Sequence, residues 1–543
     1  MGIDPKARTR RDAATHRPWR WCSARTLLIA GLATGAWGAG CGGDSGSTQE
    51  SCPAGQILVN SRCRPDGSNP PRPPRDDVSA PGEDVAREDT TPPEEDALEG
   101  EDAVGDPNPD DPGVSDTGTE RDVHVEPDLG PPDLGCGPGV PPTTLRGRVT
   151  IPAGTLPLPD VTVYIPGSAP DPIVTGATCT PCERRGGGFP LAEATTNIRG
   201  EFELVGVPDG EDVPLVIEVG KWRRQVTLPW VEPCVTADLD PDLTRLPRNQ
   251  GEGDLPQFAV TTGGADAMEC MLRKLGISDE EFTTETGGGR VHLFAGRDGT
   301  NRFADSLNGG ATLTNAWTWW DDVDNLMSYD ILVHSCEGAT HSRDKSTAAR
   351  DSLLAFANAG GRVFLSHYHY YWLSAGPPDF QAVGRWEAYN GALGRTERGN
   401  IDTSFPKGSQ LAEWMVETGT TPAGEFEIEQ PRGSLRSLNA DLAQQWIWLR
   451  PTCNFFTRLQ FPHLCEPSTQ ATQYFSFNTP VHAAPESQCG RVVFSDIHVS
   501  PRDSSGPSHR FPNGCTTTEL LPQEKVLVFM LFDLSRCVVP DKF

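Results

Sequence analysis

YDILVHSCEGATHSRDKSTAARDSLLAFANAGGRVFLSHYHYYW, residues 329–372, is the stretch that decides the fold. The apolar run Ile331-Leu332-Val333 leads into Cys336-Glu337-Gly338. Ala349, Leu353, Phe356 and Ala357 then recur at spacings of three and four, up to Asn358-Ala359-Gly360-Gly361, which predicts a helix. A second apolar run, Val363-Phe364-Leu365, delivers Ser366, His367, Tyr368 and His369. Strand, helix and strand within about 40 residues make a βαβ unit, with parallel strands and a right-handed crossover. Ligand sites in such sheets lie beyond the carboxyl ends of the strands, where Cys336, Glu337, His367 and His369 fall.

The alternation continues on both sides. Phe258 to Thr261 reads as a strand ending in Thr262-Gly263-Gly264, Ala265 to Leu275 as a helix, and Arg290 to Ala295 as a strand. Gln473 to Asn478 and Arg491 to Phe494 are further strands. Pro522 to Leu534 is a helix with Val526, Leu527, Met530 and Leu531 on its buried face. Residues 255–543 are thus expected to form a flavodoxin-like α/β domain with a mostly parallel sheet. An insertion at about 376–470, carrying Trp386, Trp414, Trp446 and Trp448, is expected to form a lid or recognition surface. Upstream, residues 144–240 hold the short runs LRGRVTIP, PLPDVTVYIP, GEFELVGVP, VPLVIEVG and RRQVTL between Gly and Pro turns. They predict a small antiparallel β-sandwich, and the chain as a whole is multidomain.

The first 40 residues read as a secretory signal: seven basic residues before position 26, then the apolar, small-residue stretch Leu27 to Gly40. Residues 64–143 form an acidic, proline-rich linker. From Arg64 to Gly135 there are 22 Asp and Glu against five Arg, a net of −17 out of −29 for the whole chain, and no aromatic residue. Such a segment cannot bury enough apolar surface to offset its ordering entropy and is expected to be a disordered spacer. The charge balance also disfavours nucleic acid as a partner.

The 15 cysteines suit an oxidising compartment. Removing Cys22 with the signal and Cys41 by lipidation leaves an odd number, so at least one free thiol is expected. Cys52 and Cys63 suggest a local bridge within residues 41–63. Cys136, Cys179, Cys182 and Cys234 suggest two disulfides in the sandwich, and Cys453, Cys465, Cys489 and Cys515 are expected to pin the insertion and its neighbours.

Three resemblances sharpen the reading. Gly38-Ala39-Gly40-Cys41 resembles a bacterial lipobox, which implies lipid on Cys41 and membrane anchoring, with the outer membrane of the envelope as the expected location. Gly147-Arg148-Val149, Pro157 to Val161, Thr196 to Phe202 and Val207-Pro208-Asp209-Gly210 resemble the carboxypeptidase regulatory-like, prealbumin-type repeat. That likeness implies a non-catalytic spacer or adhesion module sharing the architecture of many carbohydrate-binding domains. Gly360-Gly361-Arg362, Val363 to Leu365 and the turn after them resemble the nucleophile elbow of the class I glutamine amidotransferase-like superfamily. Val493 to His498 resembles its late strand bearing the catalytic His. The family's elbow Cys is matched here by His367, between Ser366 and Tyr368, and no Glu stands two residues after His498, so glutaminase chemistry is not implied. The combination is similar to uncharacterised bacterial lipoproteins that couple these two domains.

Five of the 11 histidines, His334, His341, His367, His369 and His498, fall at strand ends with Glu337, Asp496 and Cys336. Imidazole with carboxylate suits Zn or another divalent transition metal, with His367, His369, Asp496 and His498 as candidate ligands. Cys336, Glu337, His367 and His498 are the catalytic candidates, Cys336 as nucleophile with a His as base. Gly263-Gly264 is the candidate anion loop. The expected function is a lipid-anchored binding or adhesion protein for a carbohydrate, peptide or envelope-protein ligand. The alternative is an envelope hydrolase, metal-assisted or Cys-dependent, on the same strand ends.

Overall fold

In this computed structural model, residues 56–59, 62–65, 135–179, 189–421, 424–536 and 538 are described. The signal segment, the Cys41 junction, Cys52, Cys182 and the acidic linker up to residue 134 lie outside them. The chain divides into two units, Met1–Thr119 and Glu120–Phe543. The first contributes an antiparallel hairpin, β1 (Gln56–Val59) with β2 (Arg62–Pro65). No helix among the described residues is long and apolar enough to cross a membrane.

The second unit opens with the sandwich. Its strands are β3 (Thr144–Arg148), β4 (Thr162–Ile165), β5 (Ala192–Thr195), β6 (Glu201–Val205), β7 (Gly210–Val219), β8 (Trp222–Val231) and β9 (Thr236–Asp238). They form a three-stranded sheet, β6-β3-β9, and a four-stranded sheet, β5-β4-β7-β8. β6 alternates exposed Glu201, Glu203 and Val205 with buried Phe202 and Leu204, the period-2 mark of a strand with one wet face.

The larger sheet has ten strands in the order β11-β12-β10-β13-β14-β21-β20-β19-β16-β17. Here β10 is Phe258–Thr261, β11 Phe282–Thr283, β12 Val291–Phe294, β13 Ile331–His334 and β14 Arg362–Ser366. From the region read as an insertion come β15 (Gly384–Ala392), β16 (Thr396–Ile401), β17 (Glu425–Glu429), β18 (Arg432–Leu438) and β19 (Gln444–Leu449). β20 (Ala471–Thr479) and β21 (Gly490–Ser495) complete the set. β11 through β21 in that order are mutually parallel, and β20, β19, β16 and β17 add on antiparallel. The sheet is therefore mixed rather than mostly parallel. The insertion is not chiefly a lid, because three of its strands extend the sheet and only β15 and β18 pair apart from it. β10, β12 and β13 are buried at every position, since helices or other chain cover both faces of a parallel sheet.

The crossover between β13 and β14 is the helix Thr347–Asn358. Ser346 caps it by accepting the Ala349 amide at 3.0 Å, and Ala349, Leu353, Phe356 and Ala357 are buried. Gly360, at φ +106, closes it; a side chain there would also run into Thr178 O. The last helix, Pro522–Ser535, departs from expectation. It is buried on all sides from Val526 to Leu534, because the sandwich and the helix Pro406–Glu417 also pack on it.

Sandwich and α/β region share one core. Trp222, at the start of β8, lies against Phe258 of β10 and Phe532 of the last helix, with ring centroids 6.1 and 5.6 Å away. Lys221 pairs with Asp330, which also accepts the Gly176 amide. Lys221 and Trp222 thus sit at an internal joint between sandwich and α/β region. The disulfides agree. Cys136–Cys234 stays within the sandwich, but Cys179 pairs with Cys489 of the α/β region, which corrects the expectation that it would close locally. Cys453–Cys465 lies inside the insertion and Cys270–Cys515 ties the helix Met268–Lys274 to the segment after β21.

Candidate functional site: a buried cysteine and two histidines

β14 ends at Ser366, and His367 takes φ +51, a left-handed conformation that costs a non-glycine residue about 1–2 kcal/mol. A 3₁₀ turn, His367–His369, and the helix Tyr370–Ser374 follow. His367 and His369 are therefore not neighbours on one strand face. The turn sends them into two separate groups of side chains.

The first group contains Cys336, His367 and His498. Cys336 Sγ stands 3.4 Å from His367 Nδ1, and the His367 and His498 rings lie 4.0 Å apart. Cys336 has 0 % exposure, His367 6 % and His498 7 %. Cys336 is the one free cysteine among the described residues. Burial pushes its thiol up to about 12, although the Tyr368 and Gly338 amides donate to the sulfur and pull the other way. Burial also holds His367 well below the ordinary imidazole value, helped by His498 and Arg432. His498 is lowered first by burial, with Asp266 opposing and Arg432 adding to it. The resting pair is thus a neutral thiol beside a neutral imidazole.

Three further residues build this group. Gln430, in the turn between β17 and β18, faces His498 Nδ1 with its Oε1 at 2.7 Å. Arg432 lies over the Tyr368 ring at 3.8 Å. Asp266 accepts Ser366 Oγ at 2.5 Å and the amides of Val499 and Ser500 at 2.9 and 2.7 Å, tying the end of β14 to the segment carrying His498. Asp266 had a local signal, an Asp two residues after Gly263-Gly264 at a strand end. Gln430 and Arg432 had none.

The second group holds His334 and His369. His369 Nε2 donates to Ser335 O at 2.6 Å and its Nδ1 accepts the Trp372 indole at 2.9 Å. His334 stacks on Trp372. Glu337 pairs with Lys345 and accepts the Arg297 amide at 2.8 Å. Asp496 commits both oxygens to Ser434, at 2.7 and 2.8 Å, and burial pushes it up to about 6. Of the residues named as a metal set, the structure brings His367 and His498 together; His369 and Asp496 are engaged elsewhere. At the anion-loop candidate, the Gly264 and Ala265 amides donate to Arg297 O and Cys336 O, and Gly263 packs against Cys336 O too closely for any side chain. His341 lies near the surface, 3.9 Å from Asp298.

These groups make stability pH-dependent. His334, lowered to about 3 by burial and Lys345, and His367 and His369, also lowered, stay neutral in the fold but take up protons when unfolded below about 6.5. Each removes about 1 kcal/mol between pH 6.5 and 5.5. Glu269, raised to about 7 by burial, and Asp496 have the opposite sign, and together return about 2 kcal/mol over that window. Glu269→Gln should therefore steepen the fall in stability from pH 6.5 to 5.5 by about 1 kcal/mol. Urea unfolding of parent and variant at the two pH values checks this; an unchanged slope in the variant would contradict the assignment.

No family model matches the chain, and no curated protein does. Among solved structures, two interface mutants of a type II cohesin–X-dockerin complex from Acetivibrio cellulolyticus are 15 and 16 % identical. They cover 26 and 27 % of this chain and 75 and 78 % of theirs, each at TM-score 0.14. A cytoplasmic protein from Salmonella typhimurium is 12 % identical over 52 % of this chain and all of that one, at TM-score 0.25. Likeness at these scores carries no argument about this chain.

Proposed function

We propose that this chain is a non-catalytic binding or adhesion protein of the bacterial envelope, anchored through lipid on Cys41 and held off the membrane by its acidic linker. The carrying observation is that the reactive side chains are sealed, with Cys336 fully buried as a neutral thiol. Apart from the two-residue edge strand β11, the parallel strands run β12-β10-β13-β14-β21, second-first-third-fourth-fifth in chain order, which supports a flavodoxin-like, amidotransferase-like scaffold. His367 stands at its elbow where a nucleophile would be needed. The ligand class is a carbohydrate, peptide or envelope protein, and the sandwich supports that reading by its architecture alone.

An envelope hydrolase is the second reading, favoured by the Cys336–His367 approach of 3.4 Å. Iodoacetamide separates the two. In the presence of chelator, native protein at pH 7.5 should alkylate Cys336 about 100-fold or more slowly than a free thiol, because little thiolate is present. Rapid, stoichiometric alkylation of the folded protein would favour the hydrolase. Mass spectrometry of the mature N-terminus tests the anchor: diacylglycerol on Cys41 is expected, and an unmodified start beyond it would remove the anchor from the proposal.

A further inference from the structure

We infer that Cys336, His367 and His498 form a three-ligand site for a thiophilic metal ion, Zn(II) or Cu(I). One donor atom from each residue lies within 4.8 Å of those of the other two, and all three residues are buried. The 3.4 Å between Cys336 Sγ and His367 Nδ1 suits two ligands of one ion. Metal–sulfur and metal–nitrogen bonds of about 2.3 and 2.0 Å at a tetrahedral angle place their donors about 3.5 Å apart.

His498 supplies an independent observation. Its Nδ1 meets Gln430 Oε1, which places the proton on Nδ1 and leaves Nε2 with a lone pair. Nε2 is buried and has no hydrogen-bond partner. A side-chain oxygen on the far nitrogen is how ligating histidines are commonly oriented, and it raises their basicity. Gln430 is held for this by a left-handed turn, at φ +57.

The donor set chooses the ion. One thiolate with two imidazoles selects soft and borderline ions, and the cluster offers no carboxylate oxygen for Mg or Ca. Binding breaks the Cys336 S–H bond, forms a sulfur–metal bond and releases one proton to solvent, with no change of oxidation state. The thiolate and the nearby Asp266 carboxylate favour the added positive charge, whereas Arg432 opposes it. This site does not rest on the proposed binding function, since a sealed three-ligand ion could equally be structural.

The test uses the purified full chain with its disulfides intact and Co(II) as the spectroscopic probe, then Zn(II) and Cu(I) in separate arms. A thiolate-to-Co(II) charge-transfer band at about one equivalent is expected, with Co(II) displaced by Zn(II), by Cu(I), or by both. The ion with the larger displacement constant is the preferred one. Cys336→Ser should abolish the band. Gln430→Leu leaves all three ligands in place and should weaken affinity about 10- to 100-fold. The wild-type spectrum keeps the test decisive if a variant fails to fold. A wild-type chain that binds no Co(II), or binds it without the sulfur band, overturns the inference.

Discussion

Lys345→Ala is expected to lower the unfolding free energy by about 3–5 kcal/mol, because it strands a buried carboxylate. Lys345 and Glu337 pair with side-chain exposures of 0 and 1 %. Lys345 also donates to Thr340 O and lies 5.3 and 6.0 Å from the Trp320 and Trp372 ring centres. Removing the ammonium leaves Glu337 with the Arg297 amide as its remaining donor shown here. Removing both charges is a different experiment. Glu337→Leu with Lys345→Met should recover most of the loss, since a buried ion pair is often no better than an apolar pair of similar volume. Denaturant unfolding followed by tryptophan fluorescence reads both variants. A loss below about 1 kcal/mol for Lys345→Ala would mean that water reaches the pair.

Trp222→Ala is the second large effect, expected at about 3–5 kcal/mol through the cavity it opens. Its position makes the result informative beyond size. Trp222 is fully buried where β8 of the sandwich meets β10 and the last helix. Because the core is continuous there, sandwich and α/β region should unfold in one calorimetric transition, and Trp222→Ala should lower that single transition. Two separate transitions in the parent protein would contradict a shared core. The indole N–H of Trp222 is buried without a partner, so Trp222→Phe removes an unsatisfied donor along with volume. It should cost much less than Trp222→Ala.

The same residues show what could be read ahead of the structure. The runs Ile331-Leu332-Val333 and Val363-Phe364-Leu365 were legible as strands because a parallel strand buried on both faces must be apolar throughout. The helix Thr347–Asn358 was legible from its three-and-four spacing and its Gly360-Gly361 end. Lys221-Trp222 was ambiguous: a tryptophan beside basic residues reads the same whether it faces a ligand or another domain, and only the packing of Phe258 and Phe532 decides. The strands β19, β16 and β17, which run out to one edge of the main sheet, were missed as parts of it. Glu425 to Glu429 alternates acid and apolar residues, as any half-exposed strand does, and nothing local names its partner.

The site divides along the same line. Sequence alone placed Cys336, His367 and His498 at strand ends, because local patterning determines where an apolar run stops. It could not separate His367 from His369, since their two-residue spacing implies one face only while the strand continues. The left-handed turn at His367, the approach of Gln430 and Arg432 from the β17–β18 connection, and the Cys179–Cys489 bridge were decided by tertiary structure. Each joins residues distant in the chain or sustains a backbone conformation that the residue would not adopt alone, so the information lies in the assembled packing and in no single segment.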